Sequence, residues 1–210
     1  MIDLYSVPTA NGQRVHIMLE ETGLPYEPHF VNLRGGEHLE KSFLDKNPFG
    51  RVPAIVDNDG PNGEPISVFE GHAILAYLAE KSGQLYPDDL GVRTQINIWM
   101  SAVSANLGPA FAAQFWFTTL APERSDMAIE RYISEAHRGL RALDLLLSNQ
   151  DYIAGSEYTI ADIHAYPVAA TSGARLDGAL TPYPNIRGWS EIIRKREAVK
   201  RGMALFTDAG

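Results

Sequence analysis

Three short stretches carry the side chains that could do chemistry. In Pro8-Thr9-Ala10-Asn11-Gly12, Thr9 and Asn11 stand where a strand turns into a helix and offer hydrogen-bond donors there. Two readings are open: helix capping, or stabilisation of an anion such as a ligand thiolate, whose unperturbed pKa is about 8.5. Val52-Pro53 puts a proline into a strand-like run, where it removes a ladder hydrogen bond and belongs at an edge or bulge. A trans edge proline is the ordinary reading. A cis bond, the form of about 5–6% of X-Pro peptides, would expose the Val52 backbone N–H and C=O to an extended, peptide-like ligand. In Phe69-Glu70-Gly71-His72-Ala73, Glu70 ends a strand and precedes a helix. It either caps that helix or pairs with a ligand ammonium, and a carboxylate beside helix N–H groups suits the zwitterionic head of an amino acid.

What the chain lacks narrows the chemistry. Its 210 residues contain no cysteine, which excludes a disulfide framework, a Cys-ligated metal and a protein thiol nucleophile. Any sulfur chemistry must therefore use a sulfur that a ligand brings. The six histidines show no H-E-x-x-H or similar spacing, so no metal is expected. The net charge is −8, with 12 acids against 6 bases in residues 1–82 and 14 against 12 in the remainder. An acidic chain without a broad basic stripe is a poor binder of nucleic acid or anionic membranes. The one basic run, Arg194 to Arg201, reads as the solvated face of a C-terminal helix. No apolar run approaches the ~20 residues of a membrane helix, and the N-terminus lacks the features of a signal peptide, so a cytoplasmic protein is expected.

These stretches need elements to position them. Up to residue 82, strand-like and helix-like stretches alternate. Strands are expected at 2–5, 28–33, 52–56 and 65–69, and helices over 15–22, 37–46 and 71–82. Gly23 and Gly83 serve as C-caps, and the 57–63 turn makes the last two strands a hairpin. The order βαβαββα implies a mixed four-stranded sheet. Beyond it the strand signals vanish. Val92, Ile96, Trp99, Val103 and Leu107 mark one helix face, and Ile129 to Leu147 a second. Thr159-Ile160-Ala161-Asp162 is a capping-box signature opening a third helix, and Pro184 sits in the first turn of a fourth. The expected division is 1–82, a linker at 83–91, and an all-helical domain over 92–210.

Taken together, Asn47-Pro48-Phe49-Gly50-Arg51-Val52-Pro53-Ala54-Ile55, Glu70-Gly71-His72-Ala73-Ile74 and Thr159-Ile160-Ala161-Asp162-Ile163 resemble the cytosolic glutathione transferases over essentially the whole chain. That family's pattern is N-P-x-G-x-V-P, then E-S-x-A-I, then T-x-A-D. Leu4-Tyr5, Pro8-Thr9, Asn11-Gly12, Leu107-Gly108-Pro109 and Ala128 to Tyr132 look most like its bacterial nu class, which is associated with glutathione-dependent disulfide reduction. The resemblance implies a thioredoxin-like N-terminal domain with a cis Pro53, a helical C-terminal domain, a homodimer, and glutathione as co-substrate. It also implies roles: Thr9 and Asn11 at the glutathione sulfur, Val52 and Pro53 at the cysteinyl backbone, Glu70 at the γ-glutamyl ammonium. His38 falls where a glutamine contacts the glycyl end, and Arg131 matches an arginine that reaches the neighbouring subunit's ligand.

One position departs from the family. The serine that follows the glutamate is Gly71, which keeps a backbone N–H but loses a hydroxyl to the γ-glutamyl carboxylate. That is about 1.5–3 kcal/mol, or a site about tenfold to hundredfold weaker unless something compensates. Two functions follow: glutathione-dependent turnover of disulfides or small electrophiles, or a non-catalytic or catabolic relative with weakened or altered glutathione binding. The aromatics Phe111, Phe115, Trp116 and Phe117 read equally as a second-substrate pocket or as core and dimer packing. Phe49 reads as an inter-subunit key or a buried loop residue, and Tyr5 as core.

Overall fold

The computed structural model describes residues 1–172, 176 and 180–208. The chain divides into two packing units, one of Met1–Tyr86 together with Lys195–Gly210, the other of Pro87–Arg194.

In the first unit β1 (Ile2–Ser6), β2 (Tyr26–Phe30), β3 (Ala54–Asp57) and β4 (Ile66–Phe69) form one sheet in the order β2-β1-β3-β4. β1 runs parallel to β2 and antiparallel to β3, and β3 is antiparallel to β4. The mixed four-stranded sheet is the one expected. β2 starts two residues before the expected 28–33, which places Pro28 inside an edge strand, where a missing N–H is tolerated. The helix expected at 37–46 breaks into a single turn, Glu37–Leu39, and α2 (Lys41–Leu44). α1 (Ala10–Thr22) and α3 (Gly71–Ser82) each end on a glycine in the left-handed conformation, Gly23 and Gly83. Val15, Ile17, Met18 and Leu19 of α1 and Ile74, Leu75 and Leu78 of α3 are fully buried with Ile2, Leu4 and Ile55 of the sheet.

The second unit carries α4 (Leu90–Ala102), α5 (Gly108–Phe115), α6 (Asp126–Leu147), α7 (Ile160–Tyr166) and α8 (Pro184–Ile193). The expected single helix through Leu107 is interrupted, because residues 103–107 widen into a π-type turn before α5. α7 opens on the expected capping box. Thr159 Oγ accepts from Ala161 N at 3.3 Å, and the Asp162 carboxylate accepts from Thr159 N at 3.0 Å. Asp162 is fully buried and also accepts from Ile153 N (3.0 Å) and Trp189 Nε1 (2.9 Å), tying the preceding loop and α8 to the start of α7.

The last helix corrects the expected boundary. α9 (Glu197–Ala204) packs on α1 and belongs to the first unit, so the helical domain does not run from 92 to the end. The basic run is likewise more than a solvated face. Arg196 holds Glu21 through two bonds (2.6 and 2.9 Å), and Arg201 holds Glu20 at 2.5 Å. Gly202 permits the approach, since a Cβ there would meet Ile17 N at 2.6 Å. His16, fully buried on α1, lies 3.3 Å from the Gly202 carbonyl through Nδ1 and 2.8 Å from Ser6 Oγ through Nε2. Burial draws the His16 pKa down to about 4, so the ring is neutral in the fold.

Candidate functional site

Sheet register assembles the site. Ala54 pairs with Tyr5 on one side and Phe69 on the other, so the end of β1, the start of β3 and the end of β4 lie side by side. The residues just beyond them are Val7-Pro8-Thr9, Val52-Pro53 and Glu70-Gly71. α1 and α3 start from this same end of the sheet, so two helix N-termini converge there. Beneath them Val7, Val31, Phe43 and Ala54 form a buried apolar cluster, with Tyr5, Val52 and Phe69 packed against it.

Thr9 is the N-cap of α1, and its Oγ accepts from Gly12 N at 3.3 Å. The first turn of α1 holds no acid, and both Thr9 and Asn11 are exposed. Gly12 is packed so closely under the Val7 carbonyl that a Cβ there would stand 2.1 Å from its oxygen. The α1 N-terminus is thus held to the end of β1 while its polar side chains face outward.

The Val52–Pro53 bond is cis, as the family resemblance implies. Pro53 is buried and Val52 partly so. The loop before them is set by Asn47, almost wholly buried, whose Nδ2 donates to the Arg51 carbonyl (2.6 Å) while its Oδ1 accepts from Phe49 N (3.0 Å). Asn47 is a residue that reading for chemistry passed over; its signal was only its place in the Asn-Pro motif. His38 borders the same loop, its carbonyl 3.0 Å from where a Cβ on Gly50 would stand, and its Nδ1 is buried without a hydrogen-bond partner among the described residues.

Glu70 has φ 67° and ψ 119°, a conformation that costs a non-glycine residue about 1–3 kcal/mol. Its carbonyl accepts from Ile74 N (2.9 Å), yet its side chain makes no capping bond to α3 and is exposed. Of the two readings of Glu70, capping is therefore ruled out. A carboxylate held outward beside the first N–H groups of a helix can bind an ammonium and a carboxylate on one carbon.

Arg131 lies in the other unit, on α6, exposed and ion-paired with Glu135 at 2.8 Å. Arg138 closes on the same Glu135, and Glu135 and Arg138 line a groove of about 170 Å³ that is also walled by Trp99, Asn106 and Leu107. Of the aromatic cluster, Phe111 is buried whereas Phe115 and Trp116 are exposed. Phe49 is also exposed, so it is not a buried loop residue, and Tyr5 is partly buried against the apolar cluster. Among the described residues no group of three or more His, Asp or Glu is placed to hold a metal, and no helix is long and apolar enough to cross a membrane.

Comparison with known proteins places the chain by family and fold. Residues 10–81 match the glutathione S-transferase N-terminal domain and residues 99–197 the C-terminal domain. The disulfide-bond oxidoreductase YfcG of Escherichia coli is 39% identical over 208 residues, covering 98% of this chain and 95% of that protein. The chain is a member of the glutathione S-transferase family. A second relative, the disulfide-bond oxidoreductase YghU of E. coli, is 36% identical over 96% of this chain and 73% of its own length. Among solved structures, a Burkholderia graminis glutathione transferase with two glutathione molecules bound per subunit superimposes with a TM-score of 0.92. It is 37% identical and covers 98% of this chain and 88% of its own. A Pseudomonas putida glutathione transferase with one glutathione disulfide bound per subunit gives 0.91, at 35% identity over 97% and 91%.

Proposed function

We propose that this protein binds glutathione at the converging ends of β1, β3 and β4 and uses its thiolate to reduce disulfides. The observation that carries the proposal is the open N-terminus of α1, where Thr9 and Asn11 face outward with no acid in the first turn, in a chain without a thiol of its own. Thr9, Asn11 and the first N–H groups of α1 hold the ligand sulfur as an anion. Lowering a thiol by two pKa units from about 8.5 requires ~2.7 kcal/mol of preference for the thiolate, within reach of a hydroxyl, an amide and a helix N-terminus. The backbone of Val52 pairs with the cysteinyl segment of the tripeptide, and Glu70 takes the ammonium of its γ-glutamyl end.

The sulfur held at Thr9 attacks one sulfur of the substrate disulfide and expels the other as a thiolate; a second glutathione thiolate then attacks the mixed disulfide. The products are two thiols and one glutathione disulfide, so electrons and protons balance. The two glutathiones per subunit in the B. graminis relative and the glutathione disulfide in the P. putida relative support this stoichiometry. Conjugation to an electrophilic carbon would use the same thiolate.

The proposal extends to a homodimer in which Arg131 serves the partner's ligand, with a cytoplasmic location where reduced glutathione is plentiful. Light scattering tests the dimer. The activity is tested by following thiolate absorbance of the liganded protein against pH, alongside turnover of a small disulfide. A bound thiol ionising near pH 6.5 with steady turnover is expected; a thiol still protonated above pH 8 overturns the proposal.

A further inference from the structure

Gly71 and Arg14 explain one another. A Cβ built on Gly71 would stand 2.8 Å from Arg14 Cδ, 3.5 Å from Nη1 and 3.7 Å from Cγ. The volume a serine side chain would fill at the start of α3 is thus taken by the arginine rising from α1. Arg14 is 4% exposed, and burial lowers its pKa to about 10 while the charge of Glu70 pulls it back up, so it stays protonated at neutral pH. A buried cation therefore lies against the N-terminus of a twelve-residue helix, beside a carboxylate whose side chain leaves that helix uncapped.

That arrangement has the charge pattern of an α-amino acid head group, ammonium toward Glu70 and carboxylate toward the helix N–H groups and the guanidinium. We infer that Arg14 binds the α-carboxylate of the γ-glutamyl residue of glutathione, supplying the contact that the missing serine hydroxyl would have made and setting the specificity of that subsite. The inference rests on the glutathione reading above. It also reverses the simplest expectation for Gly71: serine there would collide with Arg14 rather than strengthen the site.

The test is calorimetric titration of the full-length protein with two ligands, glutathione and its analogue lacking the γ-glutamyl α-carboxylate (4-aminobutyryl-cysteinyl-glycine). Arg14→Met is expected to weaken glutathione about tenfold to hundredfold, the range for losing a hydrogen bond to a charged group, and to leave the analogue within about threefold. Gly71→Ser alone should weaken glutathione, and pairing it with Arg14→Ala, which removes the Cδ that the serine would meet, should recover most of that loss. Arg14→Lys keeps the charge and stem, so it guards against a folding failure in Arg14→Met; it is expected to hold glutathione more tightly than the analogue by a factor close to that of the unaltered protein. Equal losses for both ligands in Arg14→Met, or none for glutathione, overturn the inference while leaving the glutathione reading intact. Absence of glutathione binding by the unaltered protein at millimolar ligand overturns both.

Discussion

Two threonines cap two helices here, and they do it with the same atom at the same distance. Thr9 Oγ accepts from a backbone N–H of α1 at 3.3 Å, and Thr159 Oγ from one of α7 at 3.3 Å. What surrounds them differs. At α7 the cap is completed by Asp162 in the same turn, and the carboxylate is sealed from water with donors from Ile153, Thr159 and Trp189. At α1 no acid is supplied and both Thr9 and Asn11 remain outside. One helix start is closed by a buried carboxylate of the chain itself; the other has no acid in its first turn, which is where the proposed thiolate would sit. Local stability and anion binding draw on the same few N–H groups of a helix start.

The comparison can be broken at either end. Asp162→Ala strands buried donors around α7 and is expected to cost about 3–5 kcal/mol in urea unfolding, with glutathione affinity per folded molecule unchanged. A loss under about 1 kcal/mol would refute the saturated-cap account. Acid separates the units by sign. His16 has its folded pKa depressed to about 4 from 6.5, so the stability it contributes is present above pH 6.5 and lost as pH falls toward 4. Burial raises Asp162 to about 6 against its donors, so its contribution runs the other way, being present below about 3.8 and lost as pH rises through 6. Denaturant unfolding at pH 7 and pH 4 should show His16→Gln losing about 3 kcal/mol less than the unaltered protein over that interval. Equal losses would mean that His16 does not govern the acid limb.

Smaller effects sharpen the contrast. Thr9→Ala should cost only about 1 kcal/mol of stability, the usual worth of an N-cap, while disulfide turnover falls tenfold or more; Thr9→Ser should restore both. Asn11→Asp gives α1 the acid that α7 already has. It is expected to stabilise the fold by about 0.3–1 kcal/mol and to slow turnover by repelling the thiolate. An Asn11→Asp protein that gained stability and kept full activity would show that α1 does not hold the sulfur.

Much of this was legible because it is local. The Thr159–Asp162 box, the glycines closing α1 and α3, and the hairpin turn each depend on residues within a few positions, and the structure has all of them. The convergence of Thr9, Val52 and Glu70 was legible only through motif resemblance, since it depends on register across three strands. The return of α9 escaped, because Glu20 and Glu21 meet Arg201 and Arg196 from 181 and 175 residues away and each looks solvated in its own helix. The widened turns at 103–107 and 116–120 preserve an apolar helical face, so periodicity could not reveal them. Gly71 was visible as a departure, but the side chain filling the space beside it was not, since Arg14 on α1 carries no mark of the helix it will meet.

The docking of α9 on α1 makes the first unit a discontinuous one, with residues 87–194 spliced into it. An isolated fragment ending near residue 86 would lack its own fastening. It would bare the flank of α1 where Ile17 meets Gly202, leave Glu20 and Glu21 without their arginines, and open His16 to water. A fragment that keeps residues 195–208 joined to residues 1–86 is the cut that respects how this polypeptide is tied.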